Sequence, residues 1–222
     1  MSTIISNKTI VEDEGFTVAA KDVINFVGNG VTVTNVAGKA TVNIPGNPAS
    51  GNYGLYAQTQ QSVPITDDSA HTIIGSGVGT LNVPENGFQV GDSFNAEFGG
   101  ILSCKNGETI SIRILSGTNT LSLSPVFTMP SSGVNNQVWT MSVNFTVRAI
   151  GAAGTASIVV IANFHVLKLA SGTQEGFGWR TINQSTFDTT VSNQLEIAAR
   201  WGSNTPAENS IYSDVFVLHK TY

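Results

Sequence analysis

The chain has 222 residues and a mass of 23.3 kDa, which suits one all-β domain of ordinary size or a smaller domain with an appendage. Only 11% of residues are charged against 41% hydrophobic, which argues against intrinsic disorder, and a net charge of −5 argues against a nucleic-acid-binding surface. One cysteine, Cys104, permits no intramolecular disulfide, and no run approaches the roughly 20 apolar residues of a membrane helix.

Residues 1 to 8 lack the long apolar core of a signal peptide, so a protein working outside a cell would leave by lysis or as part of a particle. Residues 1–49 read differently from the rest. Thr9 to Ala19 is a modest strand candidate, and Val23 to Gly46 reads as three short β runs. Turn signals at Gly28-Asn29-Gly30 and Asn35-Val36-Ala37-Gly38 separate them. Hairpins this short bury too little apolar area to offset their ordering entropy. They must pack on something, and copies of themselves are the economical partner.

Asn47 to Asn52 reads as a linker, which sets the boundaries at 1–49 for a stem or attachment segment and 50–222 for a head. The head carries no convincing helix. Its predicted strands are Gly54 to Gln60, His71 to Gly75, Gly79 to Val83, Ser93 to Cys104, Thr109 to Leu115 and Leu121 to Met129. Further strands are expected at Gln137 to Ala149, Ala156 to Leu169, Arg180 to Thr186, Leu195 to Trp201 and Ile211 to Lys220. Asn106-Gly107 reads as the clearest hairpin turn, and the loop holding Gly151 and Gly154 joins two long partner strands. Such strands without helices predict two packed antiparallel sheets, an all-β jelly-roll sandwich head preceded by a short β-hairpin stem.

In the last strand, strict alternation puts Tyr212, Asp214, Phe216, Leu218 and Lys220 on one face and Ile211, Ser213, Val215, Val217 and His219 on the other. Apolar residues fall on both faces from Val215 to Leu218, the pattern of a central strand with something packed on each side. Deletion of the last ten or so residues is therefore expected to abolish folding.

Catalytic chemistry is not apparent. His71 follows Asp67-Asp68 in what reads as a solvated turn, while His165 and His219 lie in separate strands among apolar residues and read as core or interface histidines. Glu12-Asp13-Glu14 reads as an exposed charged turn, lacking the spacing of a calcium loop. Gly75 to Gly79 reads as a flexible loop, and Cys104 as a buried strand residue. The glycosylation patterns at Asn7, Asn144 and Asn183 are those expected by chance in an Asn- and Thr-rich chain. No metal site, cofactor or enzymatic activity is expected. A polysaccharide-degrading activity would need carboxylates at glycosidase separations, and Asp188, Glu196 and Asp214 are the only acids of the last strands. What remains is surface: Phe177, Trp179, Arg180 and Trp201 lie at strand or loop edges. Two readings of them stand. They grip a sugar ring or another receptor, or they cap the sandwich or pack at a subunit interface.

The Gly-turned runs Val23 to Thr34 and Gly38 to Ile44 resemble the stem repeats of trimeric fibre or spike proteins of tailed phages and large DNA viruses. The runs Asn183 to Val191 and Tyr212 to Lys220 are similar to jelly-roll heads of that group, including the tumour-necrosis-factor-like kind. The resemblance implies a homotrimer on the virion surface, held to other virion proteins by its N-terminal segment. Its head would bind a host glycan or protein receptor, with no nucleic-acid partner and no membrane insertion. Two alternatives stand beside it: a minor capsid or decoration protein that stabilises the particle, and a carbohydrate-binding module or lectin.

Overall fold

The fold was derived from a computed structural model, which describes residues 9–13, 16–21, 32–36, 39–43, 54–129, 134–167, 172 and 174–222. The chain divides into two compact units, Met1–Ala49 and Ser50–Tyr222. In the first, β1 (Thr9–Asp13) pairs with β2 (Phe16–Lys21), and β3 (Thr32–Val36) pairs with β4 (Lys39–Asn43), both antiparallel. The single strand expected over Thr9 to Ala19 is thus a hairpin, and Glu12 and Asp13 belong to its first strand rather than to a turn. The expected run Val23 to Val27 lies outside the described residues.

The second unit is a sandwich of two antiparallel sheets with no helix among the described residues. Its strands begin with β5 (Gly54–Gln58), β6 (His71–Thr72), β7 (Gly77–Gly79), β8 (Asn82–Val83), β9 (Ser93–Cys104), β10 (Thr109–Ser116) and β11 (Asn119–Leu123). They continue with β12 (Phe127–Thr128), β13 (Val134–Ala149), β14 (Ser157–Leu167), β15 (Gln174–Asn183), β16 (Asn193–Trp201) and β17 (Ser210–Lys220). One sheet runs β15-β14-β13-β9-β17-β5-β7; the other runs β11-β10-β16-β6, with β12 beside β10 and β8 beside β16. The run Gly77-Val78-Gly79, expected to be loop, is an edge strand on β5.

Asn106-Gly107 does not close a hairpin. β9 and β10 lie in different sheets, so this turn carries the chain across the sandwich. Turn chemistry specifies a local reversal but not the strand that pairs next. The expected pairing of β13 with β14 does occur, from Trp139 opposite Val166 to Ala149 opposite Ser157.

Alternation sorts the side chains. On β9, Phe94, Ala96, Phe98 and Leu102 are buried, and on β13 Trp139, Met141, Val143, Phe145 and Val147 are buried; β10 and β16 answer with Ile110, Ile112, Ile114, Leu195, Ile197 and Trp201. Edge-on and stacked rings connect across this core. Phe177 meets Phe164 at 5.5 Å, Phe164 meets Trp139 at 5.6 Å, and Trp139 meets Phe98 at 5.4 Å. From Phe98 the series passes to Phe216 at 5.4 Å and on to Tyr56 at 5.6 Å. Such ring pairs add about 0.5–1.5 kcal/mol each beyond the area they bury.

The closing strand departs from strict alternation. Ser213 faces Gly100 and Val215 faces Gly99 on β9, so Asp214 is an inserted residue, a β-bulge. Ile211 and Ser213 are therefore buried on the same side as Phe216 and Leu218, while Val215 points outward. Below the bulge the expected face assignment is reversed, because one extra residue exchanges the faces.

Candidate functional site

Of the four residues expected to form a contact site, Phe177, Trp179 and Arg180 share β15 while Trp201 lies in the other sheet, and both indoles are buried. Trp201 closes β16 facing the core, is 1% exposed, and donates its indole Nε1–H to the Ile65 carbonyl at 2.9 Å. Trp179 is buried in β15, donating to Ser122 Oγ at 2.9 Å. Phe177 is half-buried, its ring stacked 4.9 Å from Phe127 and 5.4 Å from Trp179. Only Arg180 is exposed, on the outward face of β15. Neither indole is free to stack on a pyranose. Both had a sequence signal pointing inward: Leu195, Ile197, Ala199 and Trp201 keep a period of two, as do Phe177 and Trp179.

One buried carboxylate is tied into the architecture. Glu108, 4% exposed, accepts Asn209 Nδ2–H at 2.9 Å and the Thr109 backbone N–H at 2.8 Å, as well as the Ser203 hydroxyl; Lys105 Nζ stands 3.4 Å away. Burial opposes its ionisation. The hydrogen bonds from Ser203, Asn209, Thr109 and Lys105 prevail and hold the carboxyl at about 2. Their combined effect is to fasten the β16–β17 loop to the β9–β10 turn. His71, exposed at the start of β6 rather than in the expected turn, lies 3.3 Å from Asp67. Among the described residues no group of three or more His, Cys, Asp or Glu could hold a metal ion, and no helix is long and apolar enough to cross a membrane.

A groove of about 670 Å³ lies on the outward face of the seven-stranded sheet. Gly99 and Gly100 lie in its floor, Val138 and Val215 border it, and Glu97, Asp214, His165 and His219 supply its charged and titratable groups. Register explains the contiguity. Ile101 is opposite both Val138 and Tyr212, Gly99 is opposite Val215 and Thr140, and Thr140 is opposite His165. Asp214, lifted out by the bulge, accepts Gln61 Nε2–H at 3.0 Å. His165 is exposed and His219 half-buried, both outward, so neither is a core histidine.

Val215 is 58% exposed and Val138 51%, both on central strands. With Ile101 and Val217 they form an apolar patch along the groove. The sequence signal for it was the apolar residues on both faces of Val215 to Leu218. No family model matches the chain, and no curated protein matches it in sequence.

Proposed function

We propose that the chain is a viral structural protein, a trimeric fibre or spike at the virion surface whose sandwich head attaches the particle to a host receptor or glycan. The observation that carries this reading is the first unit: two separate two-stranded ribbons, β1–β2 and β3–β4, preceding a complete sandwich. A two-stranded ribbon is marginal in water alone. Three copies side by side give each ribbon apolar neighbours, and closed rotational symmetry limits the assembly to one particle. A head of strands joined by polar loops supplies attachment without catalysis. Because Trp179 and Trp201 are buried, receptor contact on this reading falls to loops and outward strand faces rather than to those indoles.

The test is the solution mass of the full chain together with immunogold labelling of particles from the source culture. A mass near 70 kDa, three times 23.3 kDa, with label on the particles is the expected result. A monomer, or particles without label, overturns the reading. Label at capsomer junctions, with no binding to host cells, replaces attachment by the particle-stabilising role.

A further inference from the structure

We infer that the outward face of the seven-stranded sheet, centred on Ile101, Val138, Val215 and Val217, is the surface through which copies of this chain pack on one another; this rests on the oligomeric reading above. An antiparallel sheet with water on one side carries polar residues there. Here β13, β9 and β17 turn Val138, Ile101, Val215 and Val217 outward side by side, and nothing among the described residues of the second unit covers them. Farther out on the same face, Ile161 and Ile182 are 47% and 44% exposed.

The opposite sheet is the control within the molecule. Its outward face carries Arg113, Glu196 and Arg200 among Ser111, Thr72 and Gln194, and its large exposed apolar residue is Leu123. The contrast is local: the seven-stranded sheet also turns Asn95, Ser142, Asn144 and Arg148 outward, and its apolar residues gather around Val138, Ile101, Val215 and Val217.

Shape and charge point to a second copy as the occupant. The floor has no side chain at Gly99, and a Cβ there would stand 2.6 Å from the Trp139 carbonyl oxygen, so the backbone itself keeps the groove open. Glu97 and Asp214 lie toward the β17 side of the face, whereas Arg180 lies on β15 at the other edge. A heterologous contact sets the acidic side of one copy against the basic side of the next, the kind of contact that closes into a ring. The area suffices. Five strands about 4.8 Å apart and ten residues long at about 3.3 Å per residue cover roughly 600 Å², close to the roughly 800 Å² per partner of a stable interface.

The experiment compares the full chain with Val215→Glu and Val138→Glu, both outward substitutions that put no charge into the core. The expected result is a threefold drop in solution mass with unchanged far-ultraviolet circular dichroism and cooperative unfolding. An oligomeric parent whose mass survives both substitutions overturns this inference and leaves the oligomeric reading intact; a monomeric parent overturns that reading and this inference with it. Should either variant fail to fold, Val215→Cys decides. Its thiol is expected to resist maleimide in the oligomer, and labelling as fast as a free thiol there assigns the face to some other partner and overturns the inference.

Discussion

The carbonyl of Tyr212 occupies the space that a side chain on Gly100 would need. The bulge at Asp214 turns that carbonyl into the sandwich, where Trp139 donates its indole Nε1–H to it at 3.0 Å. A Cβ on Gly100 would overlap the carbonyl oxygen and stand 2.7 Å from Ser213 Cα, so the obstacle is backbone and cannot swing away. Gly100→Ala is expected to destabilise the fold by about 3 kcal/mol, the upper range for overpacking. Chemical denaturation reads it directly, and a change under about 0.5 kcal/mol, the level of an ordinary surface substitution, refutes the tight fit.

Glu108 makes stability depend on pH. Its carboxyl is held at about 2 against an ordinary 4.5, a depressed value, so its contribution is fully present above pH 4.5 and is lost as pH falls from there toward 2. Each proton taken up on unfolding adds a slope of up to about 1.4 kcal/mol per pH unit in that window. Glu108→Gln is expected to flatten the slope between pH 4.5 and 2 and to loosen the 202–209 loop. Equal slopes for the two proteins would show that other carboxylates govern acid unfolding.

Strand identity was legible because alternation is a strong signal in long strands: β9 was expected from Ser93 to Cys104 and runs there. The all-β sandwich followed from the same signal. What could not be read was anything set by a single inserted residue or by the choice between sheets. The Asp214 bulge leaves no mark on composition, yet it decides whether Tyr212 or Ser213 enters the core. Asn106-Gly107 announces a reversal equally well for a hairpin and for a crossing. At the site, Trp201 misled because a tryptophan next to Gly202-Ser203-Asn204 looks like a loop aromatic, whereas its spacing from Leu195, Ile197 and Ala199 already put it inside.

Cys104 is expected to be inert in the folded protein. Burial, reinforced by the nearby Glu108 carboxylate and only partly offset by the Val134 backbone, pushes its thiol up to about 11. At neutral pH it is a buried thiol rather than a thiolate. Labelling by iodoacetamide should therefore be slow in buffer and should accelerate across the unfolding transition. Fast labelling of the native chain would mean that the end of β9 opens locally.

Asn183 holds one edge of the sandwich together. Its Nδ2 donates to the Thr120 carbonyl at 3.1 Å and the Leu121 carbonyl at 3.0 Å, and its Oδ1 accepts the backbone N–H groups of Ser185, Thr186 and Phe187. Next to it, Thr181 Oγ1 and Ser122 Oγ are hydrogen-bonded at 2.7 Å, so β15 and β11 of opposite sheets are joined by side chains. Asn183→Ala is expected to cost about 1–3 kcal/mol, since buried partners lose their bonds. The same burial, 8% exposed, keeps a glycan off this sequon; an intact mass from a glycosylating host should show no addition at 183, and a glycan there would show that the edge forms late.

The closing strand must be present for the core to exist. Phe216 is fully buried and Leu218 3% exposed, and β17 lies between β9 and β5, so removing it divides the larger sheet. At its far end Lys220 Nζ stands 2.6 Å from Asp92 Oδ1 and 6.0 Å from the centre of the Phe94 ring. Asp92 is 6% exposed, so losing Lys220 leaves a buried carboxylate without its cation. The Lys220 side chain is 43% exposed, so solvent screens the pair and removing the lysine costs about 1 kcal/mol rather than the several of a fully buried pair. Deletion of residues 213–222 is expected to yield no cooperative unfolding at all, whereas Lys220→Met should unfold cooperatively at lower denaturant. Were the deletion to keep a sharp transition, β5 would have to pair directly with β9, and the central position of β17 would not be what organises the sheet.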